Sequence, residues 1–217
     1  MRIVDLSHPI SPAMPLWPGT PAPEFSDLCT VGSDGFGERW LQMSSHTGTH
    51  LDAPAHLFEG AATIDRMPVE RFVGKGALLD LRAASSELVS LDQLLIHRAT
   101  IEQADFLLLH TGWSRFWGSD EYNCDYPVLS SEAAAWLAGL KLKGIGIDAP
   151  SFDDPGSEAL PNHRCLLGSG LILIENLTAL DQLDGSDFLL SALPLPISGA
   201  EACPVRAVAV IPSFEIK

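Results

Sequence analysis

Three of the seven histidines lie within eleven residues, and an aspartate lies among them. The stretch reads His46-Thr-Gly-Thr-His50-Leu-Asp52-Ala-Pro-Ala-His56. Two imidazoles four residues apart, with a carboxylate two residues further on, form a donor set that zinc, manganese and iron accept. A fourth protein ligand would have to come from elsewhere in the chain. Otherwise one position stays open for water, as it does in catalytic metal sites.

The backbone of this stretch is predicted to bend at Gly48. A helix would turn Asp52 away from His46 and His50. A straight strand would separate the two histidines by about 13 Å, at ~3.3 Å per residue, which is long for ligands of one ion. Glycine accepts the bend that would bring them together. The alternative is an ordinary polar loop with exposed or hydrogen-bonded histidines, but the density of donors favours a metal site.

A second pair of donors lies far down the chain. His163 occurs in Pro-Asn-His-Arg-Cys-Leu-Leu-Gly, and Glu175 ends the apolar run Leu-Ile-Leu-Ile. A carboxylate at the end of a buried strand is costly unless it is paired or binds a metal. Taken alone, His163 is equally compatible with a loop residue and Glu175 with a strand-end charge that reaches water.

Length and composition indicate a folded single domain over residues 1–217. The chain is 46% hydrophobic and 19% charged, enough to bury a full core. Its net charge of −15 argues against nucleic acid and anionic membranes as partners. We find no signal peptide and no membrane-length apolar run. The four cysteines are widely spaced and predict reduced thiols, so we expect a cytoplasmic protein.

Apolar runs and capping signals predict an α/β fold with more strands than helices. The predicted strands are 2–6, 38–44, 76–82, 105–110, 143–148, 171–175, 188–195 and 205–211, and the predicted helices are 90–97 and 130–140. Their order favours a compact domain with a mixed, partly barrel-like sheet and flanking helices. Between the first two strands lies a stiff proline-rich segment. It carries Trp17, whose indole could pack against its own domain or a partner subunit and also suits stacking on a flat substrate.

The pattern H-x-G-T-H-x-D-x-P-x-H resembles the signature of the cyclase-like metal-dependent hydrolases. This family includes bacterial kynurenine formamidases (arylformamidases) and isatin hydrolases. The resemblance extends over nearly the whole chain. It continues in Asp5-Leu-Ser-His-Pro-Ile, Gly146-Ile-Asp-Ala-Pro-Ser-Phe-Asp, Ile174-Glu-Asn-Leu-Thr and Pro204-Val-Arg-Ala-Val. It implies the swivelling β/β/α type of fold.

The resemblance also implies roles for individual residues. One metal ion would be held by His46, His50 and Asp52. A second would be held by Asp52, His163 and Glu175. His56 would be the proton-transfer catalyst, and Trp17, in Leu-Trp-Pro-Gly, would contact the substrate. Thr20 departs from the family, whose members often carry aspartate after Pro-Gly, and this departure bears on substrate contacts.

The implied reaction is hydrolysis of an amide C–N bond by metal-activated hydroxide, most simply in an N-formyl aryl amine such as N-formylkynurenine. The implied metal is zinc, with two ions per subunit, and manganese is the alternative. The resemblance further implies a role in tryptophan catabolism and a homo-oligomer, dimer or tetramer. The alternative functions are hydrolysis of a cyclic amide or lactone, as in isatin hydrolases, and metal binding without turnover.

Three further polar residues are left without a site role. We expect His8 to be structural. His110 is a possible lining residue of the pocket. Asp148 is a possible hydrogen-bond partner of a metal-binding histidine.

Overall fold

A nine-stranded sheet carries the fold in the computed structural model of the protein, described here for residues 1–83, 88–183, 185 and 187–212. Its strand order is β1-β13-β11-β5-β7-β9-β10-β4-β12. In chain order these strands are β1 (Arg2–Asp5), β4 (His50–Asp52), β5 (Val73–Asp80), β7 (Phe106–His110), β9 (Gly144–Ile147), β10 (Ile172–Glu175), β11 (Phe188–Ser191), β12 (Ala202–Pro204) and β13 (Val208–Ile211).

In the described ranges, two small two-stranded sheets, five short α-helices and several 3-10 turns complete the fold. The small sheets pair β2 (Glu24–Cys29) with β3 (Glu38–Gln42), and β6 (Leu88–Val89) with β8 (Val128–Leu129). The helices are α1 (Val31–Asp34), α2 (Leu91–Ile96), α3 (Arg98–Ile101), α4 (Ser131–Ala138) and α5 (Pro161–Gly168). The predicted fold class, a single α/β domain with a mixed sheet and flanking helices, is confirmed.

The middle of the large sheet is parallel and the flanks are antiparallel. Strands β5, β7, β9 and β10 pair in parallel, whereas β4 pairs antiparallel with both β10 and β12. Apolar side chains are buried on both sheet faces, with α2, α4 and α5 covering one of them. In β9 a Cβ atom on Gly146 would lie 2.7 Å from Leu108 and 2.6 Å from Leu177. This close packing explains the small residues of that strand.

The two predicted helices are confirmed, and each begins at the predicted serine. The Ser90 hydroxyl accepts a hydrogen bond from the Gln93 N–H, while the Gln93 side chain accepts one from the Ser90 N–H. Ser130 accepts a hydrogen bond from the N–H of Ala133 and so opens α4. These side chains satisfy amide groups that the first helical turn leaves without partners.

Several predicted boundaries differ from the structure. The strand expected over 38–44 ends at Gln42 and pairs only with β2, so it does not run into the histidine stretch within the sheet. The strand expected over 188–195 ends at Ser191, before Pro194. Strands β4 and β12 and helix α5 were not predicted. Each strand is only three residues long, too short for periodicity to reveal.

No helix in the described ranges is both long enough and apolar enough to cross a membrane. All four cysteines lie in the described part of the chain and are unpaired, as expected.

Candidate metal centre

Strand β4 presents two of the predicted ligands on one face. Side chains alternate along a strand, so His50 and Asp52 point the same way while Leu51 enters the apolar core. The antiparallel register places Glu175 of β10 directly opposite His50. The predicted strand-end carboxylate is therefore a cross-strand neighbour of the histidine signature. All three polar side chains are buried.

The predicted bend before β4 is confirmed. Gly48 has φ +64°, a left-handed conformation that glycine adopts without strain. This conformation turns the chain between His46 and His50, whose ring centroids lie 5.1 Å apart. The bend also leaves the carbonyl oxygen of Gly48 2.9 Å from Nδ1 of His50.

His163 reaches the same place from helix α5. Leu160, at the N-cap, offers no side-chain acceptor, and Pro161 opens the first turn. The cap comes instead from Asp153, whose carboxylate accepts hydrogen bonds from the backbone N–H groups of Asn162 and His163. A carboxylate at a helix N-terminus is favourable because it faces free amide groups and the positive end of the dipole.

The five predicted metal ligands converge into two groups that share Asp52. One group is His46, His50 and Asp52; the other is Asp52, His163 and Glu175. Within each group the potential ligand atoms all lie within 4.8 Å of one another. The contacts are His46 Nδ1–Asp52 Oδ1 at 3.0 Å, His50 Nε2–Asp52 Oδ1 at 3.6 Å, His50 Nε2–Glu175 Oε2 at 3.3 Å, His163 Nε2–Asp52 Oδ2 at 3.7 Å and His163 Nε2–Glu175 Oε1 at 3.0 Å.

These donors fit divalent metal ions. His50 Nε2, Asp52 Oδ1 and Glu175 Oε1 are buried, and their close contacts within the cluster lack hydrogen-bond geometry, so none of the three has a hydrogen-bond partner among the described residues. Burying a polar atom without a partner is costly, so the convergence of three such atoms favours a bound metal ion at this position. Imidazole nitrogens and carboxylate oxygens are the donors that zinc and manganese accept.

Strong electrostatic interactions between imidazoles and carboxylates shift the pKa values in the cluster. Burial disfavours the charged ring of His50, but Asp52 and Glu175 outweigh it and raise the pKa of His50 to about 9. Burial likewise opposes charge on His163, yet the neighbouring carboxylates raise its pKa well above the usual value. The imidazoles in turn overcome the effect of burial on Asp52 and hold its pKa well below the usual range.

His46, His50 and His163 each turn one ring nitrogen towards the carboxylates of the cluster. The second nitrogen of each ring faces a separate acceptor. Nδ1 of His163 lies 2.7 Å from Oδ2 of Asp153, and Nε2 of His46 lies 3.4 Å from Glu201 Oε1. For His50 the acceptor is the Gly48 carbonyl. An acceptor on one nitrogen fixes the proton there and leaves the other nitrogen's lone pair for a metal.

The idea that Asp148 partners a metal-binding histidine is therefore wrong. Asp148 is buried, but its carboxylate accepts hydrogen bonds from Thr111 and from the N–H of Gly112. The residue in that role is Asp153, which the sequence analysis did not select. Only the tertiary contact with α5 distinguishes Asp153 from Asp154 or Asp148, since nothing in the local sequence does.

His56 lies beside both ligand groups. A short 3-10 turn over Pro54–His56 carries it there. Its ring centroid is 4.5 Å from that of His46 and 6.1 Å from that of His163. No residue in the described part of the chain hydrogen-bonds its ring. Burial lowers the pKa of His56, so the neutral ring is favoured.

A cavity of about 250 Å³ opens above these side chains. The proline-rich segment forms one wall, and Trp17 lies on it, 39% exposed. A Pro-Gly turn in which the Thr20 N–H donates to the Trp17 carbonyl presents the indole. Tyr122 and Asn123, which the sequence analysis did not single out, form another wall. Asn123 Nδ2 donates a hydrogen bond to the Leu16 carbonyl, 2.7 Å away, and ties the two walls together.

The remaining histidines lie outside the two ligand groups. The ring of His8 stacks on Trp117 with centroids 3.8 Å apart, and the backbone N–H of His8 donates to the Thr49 hydroxyl. These contacts agree with the structural role expected for His8. His110 is buried but is not among the described residues that line the cavity, contrary to the suggested pocket role.

Replacing Asp153 with asparagine should weaken metal binding by about 10- to 100-fold. Asp153 offers two oxygens to three donors: the N–H groups of Asn162 and His163, and Nδ1 of His163. Asparagine has one oxygen, so at least one donor loses its partner. The measurement is competition for zinc against a chromophoric chelator. Asp154→Asn, on the exposed neighbouring residue, is the matched control and should bind zinc like the wild type. Equal affinity in both variants would contradict the assigned role of Asp153.

Comparison with known proteins places the chain in a family. The family model described as "Putative cyclase" matches residues 4–154. Kynurenine formamidase of Erythrobacter litoralis is 33% identical, over 95% of this chain and 93% of that protein. Isatin hydrolase A of Labrenzia aggregata superposes with a TM-score of 0.88 at 26% identity, over 97% and 93% of the chains. A structure described as a predicted metal-dependent hydrolase from Bacillus stearothermophilus gives a TM-score of 0.80 at 30% identity, over 96% and 97%. The resemblance seen in the sequence is thus confirmed, and the chain belongs to the putative cyclase family.

Proposed function

We propose that the protein is a metal-dependent amidohydrolase that cleaves the C–N bond of an N-formyl aryl amine such as N-formylkynurenine, releasing formate and the aryl amine. The observation that carries the proposal is the pair of donor groups that share Asp52 beneath a cavity with an aromatic wall. Relatives 30–34% identical over nearly the whole chain are kynurenine formamidases, and this likeness supports the substrate class.

The five converging side chains are proposed to hold two divalent ions. His46, His50 and Asp52 would hold one, and Asp52, His163 and Glu175 the other. When bound, such ions acidify a water molecule and polarise a carbonyl oxygen. We propose zinc as the metal, with manganese as the alternative, because two imidazoles and carboxylates suit both. No lysine or arginine is among the described residues that line the cavity.

His56 is proposed as the proton-transfer catalyst. It lies at the rim of both ligand groups, and its ring makes no hydrogen bond within the described residues. A ring nitrogen of His56 would accept the proton that the attacking water loses. The same nitrogen would then return this proton to the leaving nitrogen of the amide, as a general acid.

The cavity walls favour an aromatic amine as the leaving group. Trp17 and Tyr122 line the cavity, and an aromatic lining suits a flat substrate. A cavity of about 250 Å³ suits a molecule of one or two rings. An aryl ring also delocalises the nitrogen lone pair, which makes that nitrogen a better leaving group than an alkyl amine.

Hydrolysis of a cyclic amide is the second candidate. The superposition with isatin hydrolase A favours it, since the two folds agree over nearly their full lengths. The same metal-binding residues would serve, and ring opening would replace release of formate. A lactone would react in the same way. The lower identity to this relative than to the kynurenine formamidases makes it the second choice.

We also propose that the protein is a cytoplasmic homo-oligomer that acts in tryptophan catabolism. The β2–β3 ribbon supports the oligomer, because Leu28, Trp40 and Leu41 on it are all exposed. A two-stranded ribbon is marginally stable alone, and a second copy of the chain could cover it. Light scattering of the purified protein should give a mass of at least twice 23.3 kDa. A monomeric mass would refute the oligomer.

Activity assays on protein that is stripped of metal and then reloaded with it test the proposed reaction. Protein treated with chelator should not hydrolyse N-formylkynurenine, and zinc or manganese should restore release of formate. An N-formyl alkyl amine should react far more slowly than the aryl substrate. If the reloaded protein binds metal but releases no formate, the formamidase proposal fails. Opening of a cyclic amide by that same sample would then favour the second candidate.

His56→Ala should reduce kcat by about 10²- to 10⁴-fold, the usual loss when a general acid–base catalyst is removed. Its metal content should stay unchanged, because His56 is in neither ligand group. Atomic emission and steady-state kinetics on the same preparation measure both quantities. His97→Ala, on an exposed histidine at the end of α2, is the control and should keep wild-type turnover. Normal kcat in His56→Ala would remove His56 from the mechanism.

A further inference from the structure

Asn176 directly follows the proposed ligand Glu175 and is buried against the bend of the histidine signature. Its φ of +58° lies in the left-handed region, which non-glycine residues rarely occupy. Both its main chain and its side chain hydrogen-bond to other segments. The concentration of contacts on one strained residue suggests a role beyond ending the strand.

The side-chain amide of Asn176 joins the bend to the cavity wall. Its Oδ1 accepts a hydrogen bond from the hydroxyl of Tyr122, 2.8 Å away. Its Nδ2 donates to the carbonyl oxygen of Gly48 at 3.0 Å. The carbonyl can only accept, so the amide orientation is fixed: the NH₂ group must face Gly48.

The Gly48 carbonyl therefore faces two donors. One is the Asn176 amide, and the other is Nδ1 of His50 at 2.9 Å. In the neutral ring that a metal ion would bind, the proton therefore lies on Nδ1, and Nε2 faces Asp52 and Glu175. Because the peptide plane after Gly48 is held by the amide, the direction of the His50 ring depends on Asn176.

The main chain of Asn176 holds the next residue of the bend. The Thr49 hydroxyl donates to the Asn176 carbonyl at 2.6 Å. The same hydroxyl accepts a hydrogen bond from the N–H of His8. The Asn176 N–H donates to the carbonyl of Ala149, just after β9. Asn176 thus ties the bend to the parallel centre of the sheet.

We propose that Asn176 is a positioning residue that orients Nε2 of His50 towards the proposed metal site. Its hydrogen bond to Tyr122 links this orientation to the cavity wall. The inference rests on the proposed metal site but not on the identity of the substrate. Loss of the amide should free the carbonyl of Gly48 and let the His50 ring rotate. Metal affinity should fall, and the ligand field at the metal should change.

Asn176→Gly removes the side-chain amide without straining the backbone, so it tests the role of the amide alone. Glycine adopts positive φ without strain, whereas alanine would add strain to the loss of the amide. The expected result is a 10- to 100-fold weaker affinity for cobalt(II), the usual effect of losing such a supporting contact. The visible absorption of the cobalt-loaded variant should also differ from that of the wild type. Chelator competition and absorption spectroscopy on the same samples give both readouts.

Ala179→Gly is the matched control for the added chain flexibility. Ala179 also has a positive φ, +54°, three residues further along. It should leave the cobalt affinity and spectrum unchanged. Circular dichroism of each apoprotein separates weakened metal binding from unfolding.

Tyr122→Phe provides a second test if Asn176→Gly does not fold. It removes one hydroxyl and keeps the ring in the cavity wall. We expect a several-fold loss of cobalt affinity and a raised KM. Where Asn176→Gly does fold, adding Tyr122→Phe to it should cause no further loss, because the two residues act in series.

Wild-type affinity together with an unchanged cobalt spectrum in Asn176→Gly would overturn the inference. If Asn176→Gly does not fold, wild-type affinity and an unchanged cobalt spectrum in Tyr122→Phe would overturn the inference instead. A wild-type protein that binds no cobalt overturns it as well. A wild-type protein that binds cobalt but hydrolyses no formamide refutes only the proposed reaction, because affinity and spectrum still report on Asn176.

Discussion

A buried carboxylate that faces three imidazoles is the constraint on which the rest of the structure depends. Asp52 is 1% exposed and contacts His46 and His50 through one oxygen and His163 through the other. A buried charge is tolerated only when it is paired or bound to metal. The chain brings these imidazoles from three places: the bend before β4, β4 itself and the start of α5. Each of these elements is short, and each ends or turns at the site.

Acceptors around the cluster orient the three histidine rings. Glu201, the Gly48 carbonyl and Asp153 each face the ring nitrogen that points away from the centre. Asp153 has two functions, since it also caps the helix that carries His163. Tyr122 connects one cavity wall to the Gly48 carbonyl through Asn176, and Asn123 ties that wall to the proline-rich segment. Stability of the local fold and orientation of the donors thus depend on the same hydrogen bonds.

The local parts of this arrangement were predictable from sequence. Donor density identified the histidine stretch, and the spacing of its ligands required a bend that only Gly48 could readily supply. Serine caps located α2 and α4 correctly. The resemblance added His163 and Glu175, whose residue types alone left a structural interpretation open.

The parts that depend on distant contacts were not predictable. Helix α5 begins with Leu160 and Pro161, neither of which has a capping side chain, because its cap comes from Asp153 seven or more residues earlier in the chain. The choice of Asp148 failed for the same reason: both aspartates follow β9, and only packing decides which one meets the imidazole. Tyr122 and Asn176 lie 54 residues apart, and no local pattern relates them.

Metal content of an Asp52 variant tests the central claim most directly. Zinc-loaded wild-type protein, freed of excess metal by gel filtration, should contain about two ions per chain by mass spectrometry. Asp52→Ala should lose both, since one carboxylate serves both ligand groups. Asp187→Ala, on an aspartate whose side chain is 81% exposed and in neither ligand group, controls for the loss of one charge and should retain the wild-type content. Wild-type content in Asp52→Ala, or loss of a single ion, would contradict the shared carboxylate.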